Sequence, residues 1–130
     1  MRQACVISIV DDNESAREST RSLIRSLGHL AFTFSSAEEF LNSDSVRKTS
    51  CLITDIQMPG MSGIELQRRL IAEGIRIPII FITGFPETSL RARVLEAGAV
   101  GFLSKPFEES SLIGCLDAAL KNQNAGSGDE

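Results

Sequence analysis

Five short apolar runs, each separated by a stretch long enough for a helix, leave this chain few folds to adopt. Val6-Ile7-Ser8-Ile9-Val10 is the first run and Ala31-Phe32-Thr33-Phe34 a weaker second. Cys51-Leu52-Ile53-Thr54, Ile79-Ile80-Phe81-Ile82 and Val100-Gly101-Phe102-Leu103 complete the series. Their length and their β-branched and aromatic content mark them as strands. The third and fourth are almost unbroken in hydrophobicity, the pattern of strands covered on both faces. Between them lie amphipathic helices. Ala16, Thr20, Leu23, Ile24 and Leu27 share one face of the first, which Gly28 stops. Ser35 or Ser36, followed by Glu38 and Glu39, caps a second that ends near Leu41. Ser62 precedes a third with the stripe Ile64, Leu66, Leu70 and Ile71. Residues 87–97 make a less amphipathic fourth, and Leu112, Ile113, Leu116, Ala119 and Leu120 mark the fifth. Five such strand–helix units predict an α/β chain with a parallel sheet and helices on both faces.

At 130 residues and 42% hydrophobic content the chain suits one domain. A domain of this size buries roughly two-thirds of its unfolded surface, so it needs no disulfide or structural metal to fold. Residues 1–121 are read as that domain. Residues 122–130, rich in Gly, Ser, Asn and acids, are read as a linker or disordered tail. Seventeen acidic against 13 basic side chains give a net charge of −4, which disfavours nucleic-acid binding by this segment. No apolar run approaches a membrane span, and the N-terminus lacks the layout of a secretory signal. Cys5, Cys51 and Cys115 are widely spaced in sequence and read as reduced core residues of a cytoplasmic protein.

The unusual polar residues all fall at strand ends. Asp11 and Asp12 follow the first strand, Asp55 ends the third, Thr83 ends the fourth and Lys105-Pro106 ends the fifth. Ligands of open α/β sheets bind outside the carboxyl ends of the strands at the topological switch point. With a flavodoxin-like doubly wound sheet in the order 2-1-3-4-5, the first and third strands are neighbours. Asp11, Asp12 and Asp55 then converge, with Thr83 and Lys105 alongside. Three close carboxylates repel one another unless a cation intervenes. Mg2+, which favours one or two carboxylates, several waters and a phosphate oxygen, suits the site, and Mn2+ is an expected substitute. A carboxylate beside that ion can take a phosphoryl group as an aspartyl phosphate. Lys105 offers a point charge and Thr83 a hydroxyl for the phosphoryl oxygens.

Three segments together carry a family resemblance: Ile9-Val10-Asp11-Asp12-Asn13-Glu14, Asp55-Ile56-Gln57-Met58-Pro59-Gly60-Met61-Ser62-Gly63 and Leu103-Ser104-Lys105-Pro106-Phe107. The chain resembles a response-regulator receiver domain of two-component signalling over residues 5–121. The resemblance implies that Asp55 is the phosphoacceptor. Asp11, Asp12, Asp55 and the backbone carbonyl of Gln57 are implied as the magnesium ligands, Thr83 and Phe102 as the switch pair, and a cis Lys105-Pro106 bond as the means of placing Lys105. It also implies a sensor histidine kinase as phosphodonor and a homodimer, on phosphorylation, through the fourth helix and fifth strand. Ser35-Ser36-Ala37-Glu38-Glu39-Phe40-Leu41 and residues 78–84 are most similar to regulators of the nitrogen-fixation type, whose receivers precede a LuxR-type helix-turn-helix. DNA contact is then expected of a separate effector domain reached through residues 122–130. The loop Phe85-Pro86-Glu87-Thr88 departs from the His-Gly-Asp sequence common in that group. Gln57 and Phe85 are placed to control water access to the phosphate, with Phe85 expected as a lid; the competing reading has Phe85 pointing outward as part of the dimer surface.

A hydrolase reading fits less well. Haloacid-dehalogenase-like phosphatases carry an Asp-x-Asp nucleophile motif after the first strand, whereas Asp11 and Asp12 are adjacent and the nucleophile follows the third. Nucleotide-binding glycine motifs are absent from the sequence. The domain is therefore expected to be a phosphoacceptor rather than an enzyme acting on outside substrates. A stand-alone receiver or phosphorelay intermediate is the alternative to a transcriptional output.

Overall fold

Each apolar run becomes a strand of one parallel sheet. The computed structural model describes residues 5–85 and 87–128, with side chains described as far as Lys121. The elements run β1 (Val6–Val10), α1 (Glu14–Ser26), β2 (Leu30–Phe34), α2 (Ala37–Leu41), a 3-10 turn (Asp44–Arg47), β3 (Cys51–Asp55), α3 (Gly63–Ala72), β4 (Ile79–Thr83), α4 (Thr88–Glu96), β5 (Gly101–Ser104) and α5 (Glu109–Gly128). The strand order is β2-β1-β3-β4-β5, as the sequence pattern predicts, and every neighbouring pair is parallel.

The sheet divides the interior into two cores. On one face Phe40 of α2, Leu66 and Leu70 of α3 and Val94 of α4 pack over Val10, Leu52 and Phe81. On the other, Ile24 of α1 and Leu112, Leu116 and Leu120 of α5 pack over Ile7, Ile9, Ile53 and Ile80. All five residues of both β3 and β4 are buried, so these strands carry apolar side chains on each face. Burial of so many large side chains, at roughly 1.5–3 kcal/mol each, is the main force holding the layers together.

Local signals set the helix ends. Asn13 caps α1 by accepting from the Ala16 N–H at 2.8 Å, and Gly28 takes the left-handed φ of 92° that turns the chain into β2. Ser36, not Ser35, is the cap of α2. Ser62 and Glu65 form a reciprocal capping box at α3. By contrast α4 begins without a side-chain cap and buries only Val94, so it is the helix least committed to the core.

Two details depart from the sequence pattern. Ile71, assigned to the buried stripe of α3, is 54% exposed, and Gln67 is buried in its place. The Gln67 amide reaches the Val94 carbonyl of α4 at 3.2 Å, which satisfies the polar group the core encloses. The second departure is at the C-terminus. Helix α5 runs on to Gly128 through most of the stretch read as a linker. That stretch holds no proline, and elongating an already anchored helix costs far less than nucleating one. Residues 129 and 130 lie outside the described part, as does Pro86.

The cysteines share one core. Cys51 is fully buried in the core beneath α5, and partly buried Cys5 and Cys115 pack against the same cluster. Burial pushes the Cys51 thiol up to about 12 from its ordinary value of 9.0. Between those two values the unfolded chain releases this proton while the folded chain keeps it, so stability falls as pH rises through that window. Urea titrations at pH 8 and pH 10.5 are expected to show this loss, at most about 1.4 kcal/mol per pH unit, reduced in Cys51→Val. Equal pH dependence in the two proteins would contradict it.

Candidate functional site

The first and third strands end side by side. Val10 pairs with Thr54, so Asp11 and Asp55 emerge one residue later at the same edge of the sheet. The carboxylates of Asp11, Asp12 and Asp55 offer oxygens that all lie within 4.8 Å of one another. Asp11 and Asp55 are buried and Asp12 is exposed, so the cluster opens to solvent on one side. Lys105 closes the other. Its Nζ donates to Asp11 Oδ2 and to Asp55 Oδ2, each at 3.1 Å. The sequence-predicted acids and lysine therefore form one site.

Backbone groups hold the carboxylates in place. The Asn13 N–H donates to Asp11 Oδ1 at 2.9 Å, and the Gln57 N–H donates to Asp55 Oδ1 at 3.3 Å. Arg17 reaches back from α1 to the Asp11 carbonyl at 2.8 Å. The Lys105 N–H donates to the Thr83 carbonyl at 2.8 Å, which ties the turn after β5 to the end of β4. The Lys105-Pro106 peptide is cis, as the resemblance implies. Behind Asp55, Gly63 packs so closely that an added Cβ would run into the Asp55 carbonyl oxygen. The Gly63 N–H donates to the Ile56 carbonyl at 2.8 Å, so α3 begins pressed against the phosphoacceptor candidate's own backbone. Only a residue without a side chain fits there.

The charges are tuned by one another. Burial pushes the Asp55 carboxyl above the ordinary aspartate range, Lys105 pulls it back in part, and Asp11 adds repulsion. For Lys105, burial acts downward, but its bonds to Asp55 and Asp11 outweigh it and hold the ammonium above the usual lysine value. Three carboxylates and one ammonium leave the site electron-rich. Hard oxygen donors, close spacing and an open side fit a small divalent cation.

Thr83 is fully buried, and its Oγ1 accepts from the Phe85 N–H at 3.0 Å. Phe81 pairs with Phe102 across β4 and β5, so Thr83, two residues on, shares the face that carries Phe102. Phe102 is half-buried against the α2–α4 core. Phe85 is 63% exposed and Gln57 is also exposed. Glu38 joins this neighbourhood although its sequence context marks it only as a first-turn acid: its Oε2 accepts from the Met61 N–H at 3.0 Å.

A family model for the response regulator receiver domain matches residues 7–117. The chain belongs to that family. It is 45% identical over 119 residues to the response regulator protein TodT of Pseudomonas putida, an alignment covering 92% of this chain and 52% of TodT. It is 33% identical over 120 residues to the transcriptional regulatory protein FixJ of Azorhizobium caulinodans, covering 92% of this chain and 57% of FixJ. Among solved structures, FixJ-N superposes with a TM-score of 0.83 at 38% identity, covering 92% of this chain and 96% of that one. The chain thus spans about half the length of the curated relatives it matches. Receiver domains are signalling domains of two-component systems, and the sheet order and five-helix layout here are theirs. No helix among the described residues is long and apolar enough to cross a membrane.

Gly63→Ala is expected to lower stability by about 2 kcal/mol or more in urea denaturation, because the collision is with backbone and cannot relax cheaply. A change under about 0.5 kcal/mol would show that α3 can retreat from Asp55 freely.

Proposed function

We propose that this receiver takes a phosphoryl group on Asp55 from a histidine kinase and uses it to change how the chain associates. The observation that carries the reading is the joint placement of Asp11, Asp12 and Asp55 within 4.8 Å, with the Lys105 ammonium 3.1 Å from both buried acids. Asp55 is the nucleophile in this reading because, of the three acids, it alone ends a strand and has α3 at its back. Its oxygen forms the new bond to phosphorus as the bond to the donor's imidazole nitrogen breaks. Lys105 and the Thr83 hydroxyl then bind the phosphoryl oxygens, Thr83 exchanging its bond from Phe85 for the new partner. Asp11, Asp12, Asp55 and the Gln57 carbonyl would hold Mg2+, or Mn2+ in its place. Bound there, the ion neutralises the negative charge that accumulates on the transferring group.

The remaining surface supports the partner assignments. Beside Asp11 and Lys105 a groove of about 520 Å3, walled by Ala16, Leu23 and Phe107, opens where a phosphohistidine would approach. Movement of Thr83 toward the phosphate leaves room for Phe102 to turn inward, and uncapped α4 can follow at little cost. A symmetric dimer through α4 and β5 is the outcome we assign to this change. Leu95 and Phe85, exposed on that side, supply apolar area. The 63% exposure of Phe85 supports a place in this face, the lid being the competing reading. We assign transcriptional output, and any DNA contact, to a domain joined beyond this segment in a cytoplasmic regulator of the FixJ kind. A stand-alone receiver or relay intermediate is the alternative.

With Mg2+ and acetyl phosphate, intact mass is expected to rise by one phosphoryl group, and neither Asp55→Asn nor a chelator-treated sample should gain it. Modification of Asp55→Asn at the wild-type level would sink the assignment. Phosphorylated protein is expected to sediment as a dimer. Phe85→Ala should weaken that dimer and leave the dephosphorylation rate within about twofold, a difference under about 0.4 kcal/mol in barrier. Markedly faster phosphate loss in the variant would restore the lid.

A further inference from the structure

Glu38 and Glu39 are adjacent first-turn acids of α2, yet the fold gives them different work. Glu39 caps its own helix. Its Oε1 accepts from the Ser35 N–H at 2.7 Å and from the Ser35 hydroxyl at 2.9 Å, while its N–H donates to Ser36 Oγ at 3.0 Å. Glu38 bonds outside the helix altogether, to the Met61 N–H in the loop that follows Asp55. At Gly60 of that loop φ is 76°, and a Cβ added there would lie 2.8 Å from Glu38 Oε2. The carboxylate therefore sits in the space that glycine leaves, against the outer side of the turn Met58-Pro59-Gly60-Met61.

The two ends of this contact are anchored differently. Helix α2 has only five residues, but Ala37 and Phe40 are fully buried, and Phe40 meets Phe34 edge-to-face at 5.3 Å. It is a fixed post. Opposite it, Gln57, Pro59 and Gly60 are exposed, and buried Met58 is the loop's inward anchor between Ile56 and Met61. A loop of this kind has few internal restraints on its peptide orientations. One charge-assisted bond from a fixed post would restrict it.

We infer that Glu38 is a positioning residue for the metal site, holding the Gln57–Met61 loop and with it the Gln57 carbonyl assigned above as a magnesium ligand. The inference rests on the magnesium site described above. Glu38 does not touch the metal or the phosphate; it acts through the loop. The acceptor oxygen is the feature that matters, so an amide should serve nearly as well as a carboxylate.

Calorimetric titration of the unphosphorylated chain with MgCl2 tests this without relying on phosphorylation. Glu38→Ala is expected to raise the magnesium Kd by about three- to tenfold, a cost of about 0.65–1.4 kcal/mol. Glu38→Gln is expected to stay within about twofold of wild type, which separates the hydrogen bond from the loss of a negative charge. Glu39→Ala, which loses the helix cap, should lower the melting temperature without moving the Kd. In acetyl phosphate assays Glu38→Ala should need more Mg2+ for half-maximal modification yet approach the wild-type rate at saturation. A Glu38→Ala chain that binds Mg2+ as tightly as wild type, or a Glu38→Gln chain as weak as the alanine variant, overturns the inference. Failure of the wild type itself to bind Mg2+ overturns the metal site instead.

Discussion

Two buried carboxylates side by side repel one another unless a proton or a cation lies between them, and in this chain the cation is Lys105. Its ammonium contacts both Asp11 and Asp55 at 3.1 Å, each acid being less than a tenth exposed. The architecture around the site serves this arrangement. β1 and β3 must be neighbours to bring the acids together, and the turn after β5 must bend toward them to deliver the lysine. The Lys105 N–H bonded to the Thr83 carbonyl fixes that bend to the neighbouring strand. An ion pair of this sort contributes little net stability, because desolvation offsets attraction. Its effect is on the charge of Asp55: burial raises that carboxyl above its ordinary range, and Lys105 draws it part of the way back.

Stability comes from elsewhere, and the separation has a functional consequence. The buried strands β3 and β4 and the two helix layers form a rigid base, while the charged groups occupy only the strand ends. A change of charge at one end can then be transmitted without dissolving the core. Helix α4 is the one with a single buried residue and no side-chain cap. Gln67 of α3 meets the far end of α4 by a bond to the Val94 carbonyl, so that helix is tethered at one end and loose at the other.

Much of this is legible in the sequence because strand-end residues are read by adjacency. Asp11, Asp12, Asp55, Thr83 and Lys105 each follow an apolar run directly, so assigning the strands assigns the site. The strand order enters as the flavodoxin-like one of the common doubly wound orders, and the fold adopts it. What escapes is contact across distance. Glu38 and Met61 are separated by 23 residues, and nothing near Glu38 distinguishes it from its capping neighbour Glu39. Gln67 escapes for a related reason: a polar residue belongs on the outer face until a carbonyl on another helix is known to await it. The direction of Phe85 is not legible either, because a loop side chain's direction is set by its backbone turn, here the Phe85 N–H held by Thr83.

The central claim is that the phosphoryl group is carried by Asp55 and by neither of the other two acids in its cluster. Borohydride reduction of the phosphorylated chain converts an aspartyl phosphate to homoserine, which peptide sequencing by mass spectrometry can locate. The account predicts homoserine at position 55 alone, formed only in samples phosphorylated with Mg2+ present. Homoserine at position 11 or 12, or reduction at none of the three, would contradict it.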